Sequence, residues 1–288
     1  MLPTRRSLLR MAAALAAPEI RPRLGGTFLQ LWVAHQQWPD SRWAELFGYL
    51  HQLGMNEVVV QWSRYDAIDY GPQVERLLRA GFDVWLGLGY DSRWWRQPSP
   101  EMVRDAARDV PRLDGVRGYY LPQEIDAAAW AGNSQTQALG QAIRSVRNQF
   151  HPLAVSGFTN RHGAPGEPAR FWHDLQRGSR FDRLLFQDGI GAGKMPLGEW
   201  PQWAAPLARA LGRRLTIVVE TFTATGEGPA WHAEPAAAAR IQAQLRIAAS
   251  AGRNASLAFS APEYMTPLGG AAAAELFRQV LFSLADTQ

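Results

Sequence analysis

From Gly25 onward the chain switches eight times between a short run of β-branched or aromatic residues and a longer segment of helical periodicity. The short runs fall at Thr27–Trp32, Glu57–Trp62, Val84–Gly89, Gly118–Leu121, Leu153–Gly157, Arg183–Gln187, Thr216–Glu220 and Ser256–Ser260. The helical segments fall at Ser41–Leu53, Pro72–Ala80, Pro100–Pro111, Ser134–Phe150, Glu167–Arg177, Pro201–Leu211, Pro235–Ala251 and Ala271–Leu284. Glycine follows six of them (Gly54, Gly81, Gly115, Gly178, Gly212, Gly252), where a left-handed cap is wanted. Strands as continuously apolar as Thr216-Ile217-Val218-Val219 need cover on both faces, which means a parallel sheet wrapped by helices. Eight such units predict an α/β protein of one domain, a (β/α)8 TIM barrel over residues 25–288. An open doubly wound sheet would put a glycine-rich nucleotide loop after the first strand, and Trp32-Val33-Ala34-His35 stands there instead.

Residues 1–24 follow a different pattern. Thr4-Arg5-Arg6-Ser7-Leu8-Leu9-Arg10, an apolar stretch and the small residues Ala16-Ala17-Pro18 resemble a twin-arginine export signal followed by a short linker. The expectation is handling by the twin-arginine export machinery and a periplasmic or secreted location. Three of the four excess positive charges are Arg5, Arg6 and Arg10, so no basic footprint for nucleic acid remains in the rest of the chain. No stretch has the ~18–20 consecutive apolar residues of a spanning helix, and no integral membrane segment is expected. The chain has no cysteine, which removes thiolate metal sites and cysteine nucleophiles.

In a barrel of this kind the C-terminal strand ends carry the active face. Those positions hold Gln30, Trp32, Gln61, Trp62, Tyr90, Gln123, Asp126, Asn160, Gln187, Asp188 and Tyr264. Amides and carboxylates suit sugar hydroxyls, while aromatic rings suit the C–H faces of a sugar, so these eleven are the candidate substrate-binding residues. Two further carboxylates stand out. Glu124 closes the fourth strand region and Glu220 ends the most apolar strand, where a carboxylate is costly unless chemistry uses it or an arginine pairs with it. Hydrolysis of a glycosidic bond needs one carboxyl group protonated and a second ionised, so Glu124 and Glu220 are the candidate catalytic pair. Asp188 is the substitute for Glu220.

Glutamates on strands four and seven resemble the placement in the large clan of retaining glycosidases. That resemblance implies Glu124 as acid/base, Glu220 as nucleophile and carboxyl groups ~5–5.5 Å apart, against ~6.5–9.5 Å for an inverting enzyme. The chain departs from the clan at Gln123, where Asn is usual, and at Phe259 and Tyr264, where Trp is usual; Arg64 is only roughly in the place of the usual rim arginine. Gly26-Thr27-Phe28-Leu29-Gln30, Val59-Val60-Gln61-Trp62, Tyr120-Leu121-Pro122-Gln123-Glu124-Ile125-Asp126, Phe186-Gln187-Asp188-Gly189-Ile190-Gly191 and Val219-Glu220-Thr221-Phe222 together resemble the bacterial domain-of-unknown-function family numbered 4434, from about Gly25 to Pro267. That resemblance implies a glycoside-hydrolase-like barrel.

The expected activity is cleavage of an oligo- or polysaccharide without cofactor or metal. The alternatives are a glycan-binding barrel without turnover and a metal-dependent barrel hydrolase. Gly189-Ile190-Gly191-Ala192-Gly193-Lys194 looks like a phosphate loop but has Asp188 and Met195 where a Walker pattern needs Gly and Ser or Thr. Lys194 is the only lysine of the chain, and its glycine-rich loop falls on the active face. His35 and His162 follow strands one and five, within reach of a substrate.

Overall fold

The computed structural model describes residues 22–65, 68–130, 132–226, 230–252 and 255–285. The export-type leader therefore lies outside the described residues, apart from its last three positions. Eight strands, β1 (Arg23–Leu29), β2 (Glu57–Val60), β3 (Asp83–Gly87), β4 (Gly118–Asp126), β5 (Leu153–Phe158), β6 (Arg183–Gln187), β7 (Leu215–Glu220) and β8 (Ala255–Phe259), form one closed parallel barrel. Its seam is the pairing of β1 with β8, Thr27 against Ala258. Helices α1 (Asp40–Gln52), α2 (Gly71–Arg79), α3 (Pro100–Asp105), α4 (Asn133–Gln149), α5 (Gly166–Ser179), α6 (Trp200–Leu211), α7 (Ala238–Ser250) and α8 (Ala271–Ala285) follow the strands in turn.

The side-chain alternation of a strand sorts the residues into two cores. Phe28, Val59, Trp85, Tyr120, Ala154, Leu185, Val218 and Leu257, one from each strand, pack against one another inside the barrel. Their neighbours one position away, such as Leu29, Val60, Leu86, Val155, Phe186 and Val219, belong to the outer core that also holds the buried faces of the helices. The N-terminal end is plugged by charge. Arg183 and Glu57 form an ion pair with side chains only 18% and 20% exposed. Arg183 Nε also donates to Thr216 Oγ1 at 2.9 Å, and its guanidinium lies 5.3 Å from the Trp85 ring centre.

β6 has the expected bounds and the other strands differ from them at one or both ends; for two of these the physical reason is plain. β1 begins at Arg23, ahead of the expected Thr27, and includes Gly25-Gly26. A Cβ on Gly26 would lie 2.3 Å from Glu57 O, so glycine is what lets β1 pair closely with β2. β4 runs on to Asp126 because the pairing with β5 shifts between Leu121 and Ile125, an irregularity that accommodates Pro122 within a strand. Beyond the barrel mouth, Phe222–Thr225 pairs antiparallel with His232–Pro235, and Arg64–Tyr65 pairs with Ile68–Asp69 and Gly89–Tyr90. Among the described residues no helix is long and apolar enough to cross a membrane.

Candidate active site

The positions two residues beyond the inner core are Gln30, Gln61, Gly87, Pro122, Ser156, Gln187, Glu220 and Phe259, so the layer at the C-terminal mouth holds three amides and a carboxylate. Glu124 joins this layer after the irregularity in β4. It accepts a hydrogen bond from the Gln187 side chain, and Lys194 lies within electrostatic reach. Glu220 is 3% exposed. Its Oε2 accepts the backbone N–H of Ala192 at 2.6 Å. Lys194 acts on this carboxylate too, and so does the charge of Glu124. The strand-four and strand-seven glutamates therefore share one electrostatic environment, with Lys194 common to both.

Burial raises the proton affinity of both acids. For Glu124 desolvation outweighs the opposing effects of Gln187 and Lys194. For Glu220 desolvation and the neighbouring Asp188 charge push the carboxyl up to about 8. Neither Glu124 nor Glu220 forms an ion pair among the described residues.

The loop after β6 brings Lys194 and the Ala192 amide to the mouth. Gly189 takes a positive φ of 69° and its carbonyl accepts the N–H groups of Lys194 (2.9 Å) and Met195 (3.0 Å), folding the loop back. Lys194 Nζ sits 3.9 Å from the Phe158 ring centre at the end of β5. The glycines that resemble a phosphate loop thus serve close approach to a carboxylate.

Aromatic rings line the mouth. Trp32, 43% exposed, meets Trp62 edge-on at 5.2 Å, and Tyr90 stacks on Trp62 and Tyr65 at 5.6 and 5.7 Å. On the opposite side Phe222 contacts Phe259, Tyr264 and Trp231. Burial and the nearby Glu124 charge raise the Tyr90 phenol above its ordinary range, so it stays a hydrogen-bonding hydroxyl at neutral pH.

The other expected binding residues divide by place. Gln30, Trp32, Tyr90, Gln187 and Tyr264 keep accessible surface at the mouth. Gln61 and Gln123 are buried, and the carbonyl oxygen of each side chain lacks a partner among the described residues. Gln123 Nε2 donates to Gly89 O at 3.3 Å. Trp62, 3% exposed, uses its indole N–H on Leu31 O at 2.8 Å and backs Trp32 and Tyr90 from behind. Asp188, 1% exposed, lies beneath Glu220 with both oxygens taken up by protein donors. Asp126 and Asn160 bond to each other at 2.8 Å. Asp126 and His162 line a separate groove of about 1070 Å³ between α4 and α5 that includes neither Glu124 nor Glu220. His35 is buried, accepts the Trp32 N–H at Nδ1, and is held neutral mainly by desolvation, which makes it part of the scaffold.

Gln244 and Arg240 on α7 are site residues the sequence reading missed. Gln244 Nε2 donates to Asp188 Oδ2 at 2.6 Å, and Arg240 donates to the carbonyls of Glu220 and Phe222. A polar Gln244 on a buried helix face was the signal available in the sequence. Among the described residues no group of three or more His, Asp or Glu side chains is arranged to hold a metal ion.

Fold and mouth together define a (β/α)8 barrel with a pair of desolvated carboxyl groups at the C-terminal ends of β4 and β7. Within that class, the chain belongs to the family described as a domain of unknown function, DUF4434, which it matches over residues 24–269. Uncharacterized protein YbcH of Escherichia coli (strain K12) is 24% identical over 246 residues, covering 75% of this chain and 82% of that protein. Among solved structures, a Bacteroides thetaiotaomicron VPI-5482 protein provisionally named an alpha-L-fucosidase superposes with a TM-score of 0.71 at 18% identity, over 93% of this chain and 96% of its own. Active domain 2 of a Pyrococcus furiosus chitinase superposes with a TM-score of 0.54 at 13% identity, over 94% and 98% of the two chains. These likenesses establish the barrel fold.

Proposed function

We propose that this protein is a glycoside hydrolase acting on an oligo- or polysaccharide through Glu124 and Glu220. The observation that carries the reading is a buried and a partly buried carboxyl group from distant strands, each with raised proton affinity, neither in an ion pair among the described residues, both within electrostatic reach of Lys194 in an amide-lined mouth. One protonates the glycosidic oxygen as its bond to the anomeric carbon breaks; the other attacks that carbon, and water then releases the glycosyl group with retention. The amides of Gln30 and Gln187, which keep accessible surface at the mouth, offer hydrogen-bonding groups to sugar hydroxyls, and the exposed face of Trp32 offers a stacking surface. The names of the two structural neighbours, a provisional alpha-L-fucosidase and a chitinase, support the reaction class. The Arg5-Arg6 leader supports export through the twin-arginine machinery to the periplasm or beyond.

The test is a panel of oligo- and polysaccharides with purified protein, read out as new reducing ends, with the first-formed anomer followed by NMR. Glu124→Gln and Glu220→Gln should each lower turnover by roughly 10²–10⁴-fold while glycan binding persists. A wild type that binds glycans but releases no reducing ends makes the protein a glycan-binding barrel instead. Loss of activity on chelation points to a metal-dependent hydrolase.

A further inference from the structure

Asp188 and Glu220 form a buried carboxyl pair in which the donors are unequally shared. Asp188 Oδ1 receives the N–H groups of Ile190 (3.2 Å) and Glu220 (3.4 Å), and Oδ2 receives Gln244 Nε2 (2.6 Å). Arg240 adds positive charge on the same side. Glu220 receives only the Ala192 N–H, at Oε2, and no donor among the described residues reaches Oε1. Two buried acids within electrostatic reach of each other cannot both ionise cheaply, and the better-solvated member takes the negative charge. Here Asp188 is that member, because its hydrogen bonds replace the water it has lost.

We propose that Asp188 is a positioning residue that holds the proton on Glu220, so that Glu220 is the acid that protonates the leaving oxygen and Glu124 is the carboxylate that attacks the anomeric carbon. This rests on the glycoside-hydrolase reading and reverses the roles implied by the resemblance to the retaining clan. The charged groups facing Glu220 are Asp188 and Lys194 from β6 and its loop, Glu124 from β4 and Arg240 from α7. Of these, the two acids favour the protonated form and the two cations oppose it. Burial raises both acids; the donors on Asp188 oppose its rise, whereas the Asp188 charge pushes Glu220 up further. Glu124 has the Gln187 hydrogen bond and Lys194 in its favour and no buried acid beneath it. In the first step the Glu220 proton goes to the departing oxygen while a Glu124 oxygen bonds to the anomeric carbon. In the second, Glu220 takes a proton from the water that displaces Glu124.

The test is a carboxyl-carbon NMR titration of ¹³C-glutamate-labelled protein, assigned with Glu124→Gln and Glu220→Gln, in the wild type and in Asp188→Asn. In the wild type Glu220 should hold its proton to higher pH than Glu124. In Asp188→Asn the Glu220 titration should fall by roughly one pH unit or more. A wild-type Glu220 that ionises before Glu124 overturns the proposal without any variant, and so does an unmoved Glu220 in a folded Asp188→Asn protein. A panel of 2,4-dinitrophenyl glycosides reads the roles separately. Glu220→Gln should keep the initial burst of dinitrophenolate, a leaving group that needs no protonation, with later turnover slowed because the second step lacks its base, and Glu124→Gln should show no burst; the opposite pattern overturns the assignment. Titrations as expected in a wild type that cleaves no glycan would leave the Asp188–Glu220 relation standing and remove the hydrolase reading alone.

Discussion

Gly191→Ala probes whether the loop after β6 must press against Glu220. A Cβ at this position would lie 2.3 Å from Phe222 O, 2.8 Å from Glu220 Cβ and 3.1 Å from Glu220 Oε2. Ordinary carbon–oxygen contacts sit at about 3.3–3.6 Å, so the loop must retreat by roughly 1 Å. That retreat stretches the 2.6 Å bond from Ala192 to Glu220 and the 2.8 Å bond from Ala224 to Gly191 O past the length at which a hydrogen bond survives. At about 1 kcal/mol net for each bond, the variant loses about 2 kcal/mol, or a Tm lower by about 4–8 °C. Losing the Ala192 donor also raises the proton affinity of Glu220 further, which the carboxyl NMR titration reads directly. The assay is thermal and urea unfolding followed by circular dichroism, with Gly198→Ala as control, since a Cβ on Gly198 meets nothing within 4 Å. A Gly191→Ala protein as stable as the control, with an unmoved Glu220, refutes the reasoning.

The ion pair at the opposite end of the barrel gives a second prediction. Arg183→Met leaves the partly buried Glu57 without its partner and should cost about 2 kcal/mol in urea unfolding, with Glu57→Gln in the same chain restoring most of it; a loss below about 1 kcal/mol contradicts the plug. Replacing Arg5 and Arg6 by Lys should leave the protein in the cytoplasmic fraction of its bacterial host while the parent reaches the periplasm. Equal distribution of the two would count against export through the leader.

The sequence by itself determined the eight alternating units, because period-two and helical patterns are local and each apolar strand needs a covering helix. It also placed Glu124 and Glu220 at strand ends, since the cost of a carboxylate at the edge of an apolar strand is legible without coordinates. Trp62 and Asp188 appeared as substrate contacts for the same positional reason. Only the tertiary structure decided that Trp62 backs other rings, that Asp188 lies beneath Glu220, and that Gln244, 56 positions away, supplies its donor. It also decided that Glu57 and Arg183, separated by 126 positions, neutralise each other. Those pairings follow from the register in which the strands close, and closure is a property of the whole sheet. A carboxyl group's proton affinity depends on the neighbours that closure delivers, which no local stretch of chain encodes.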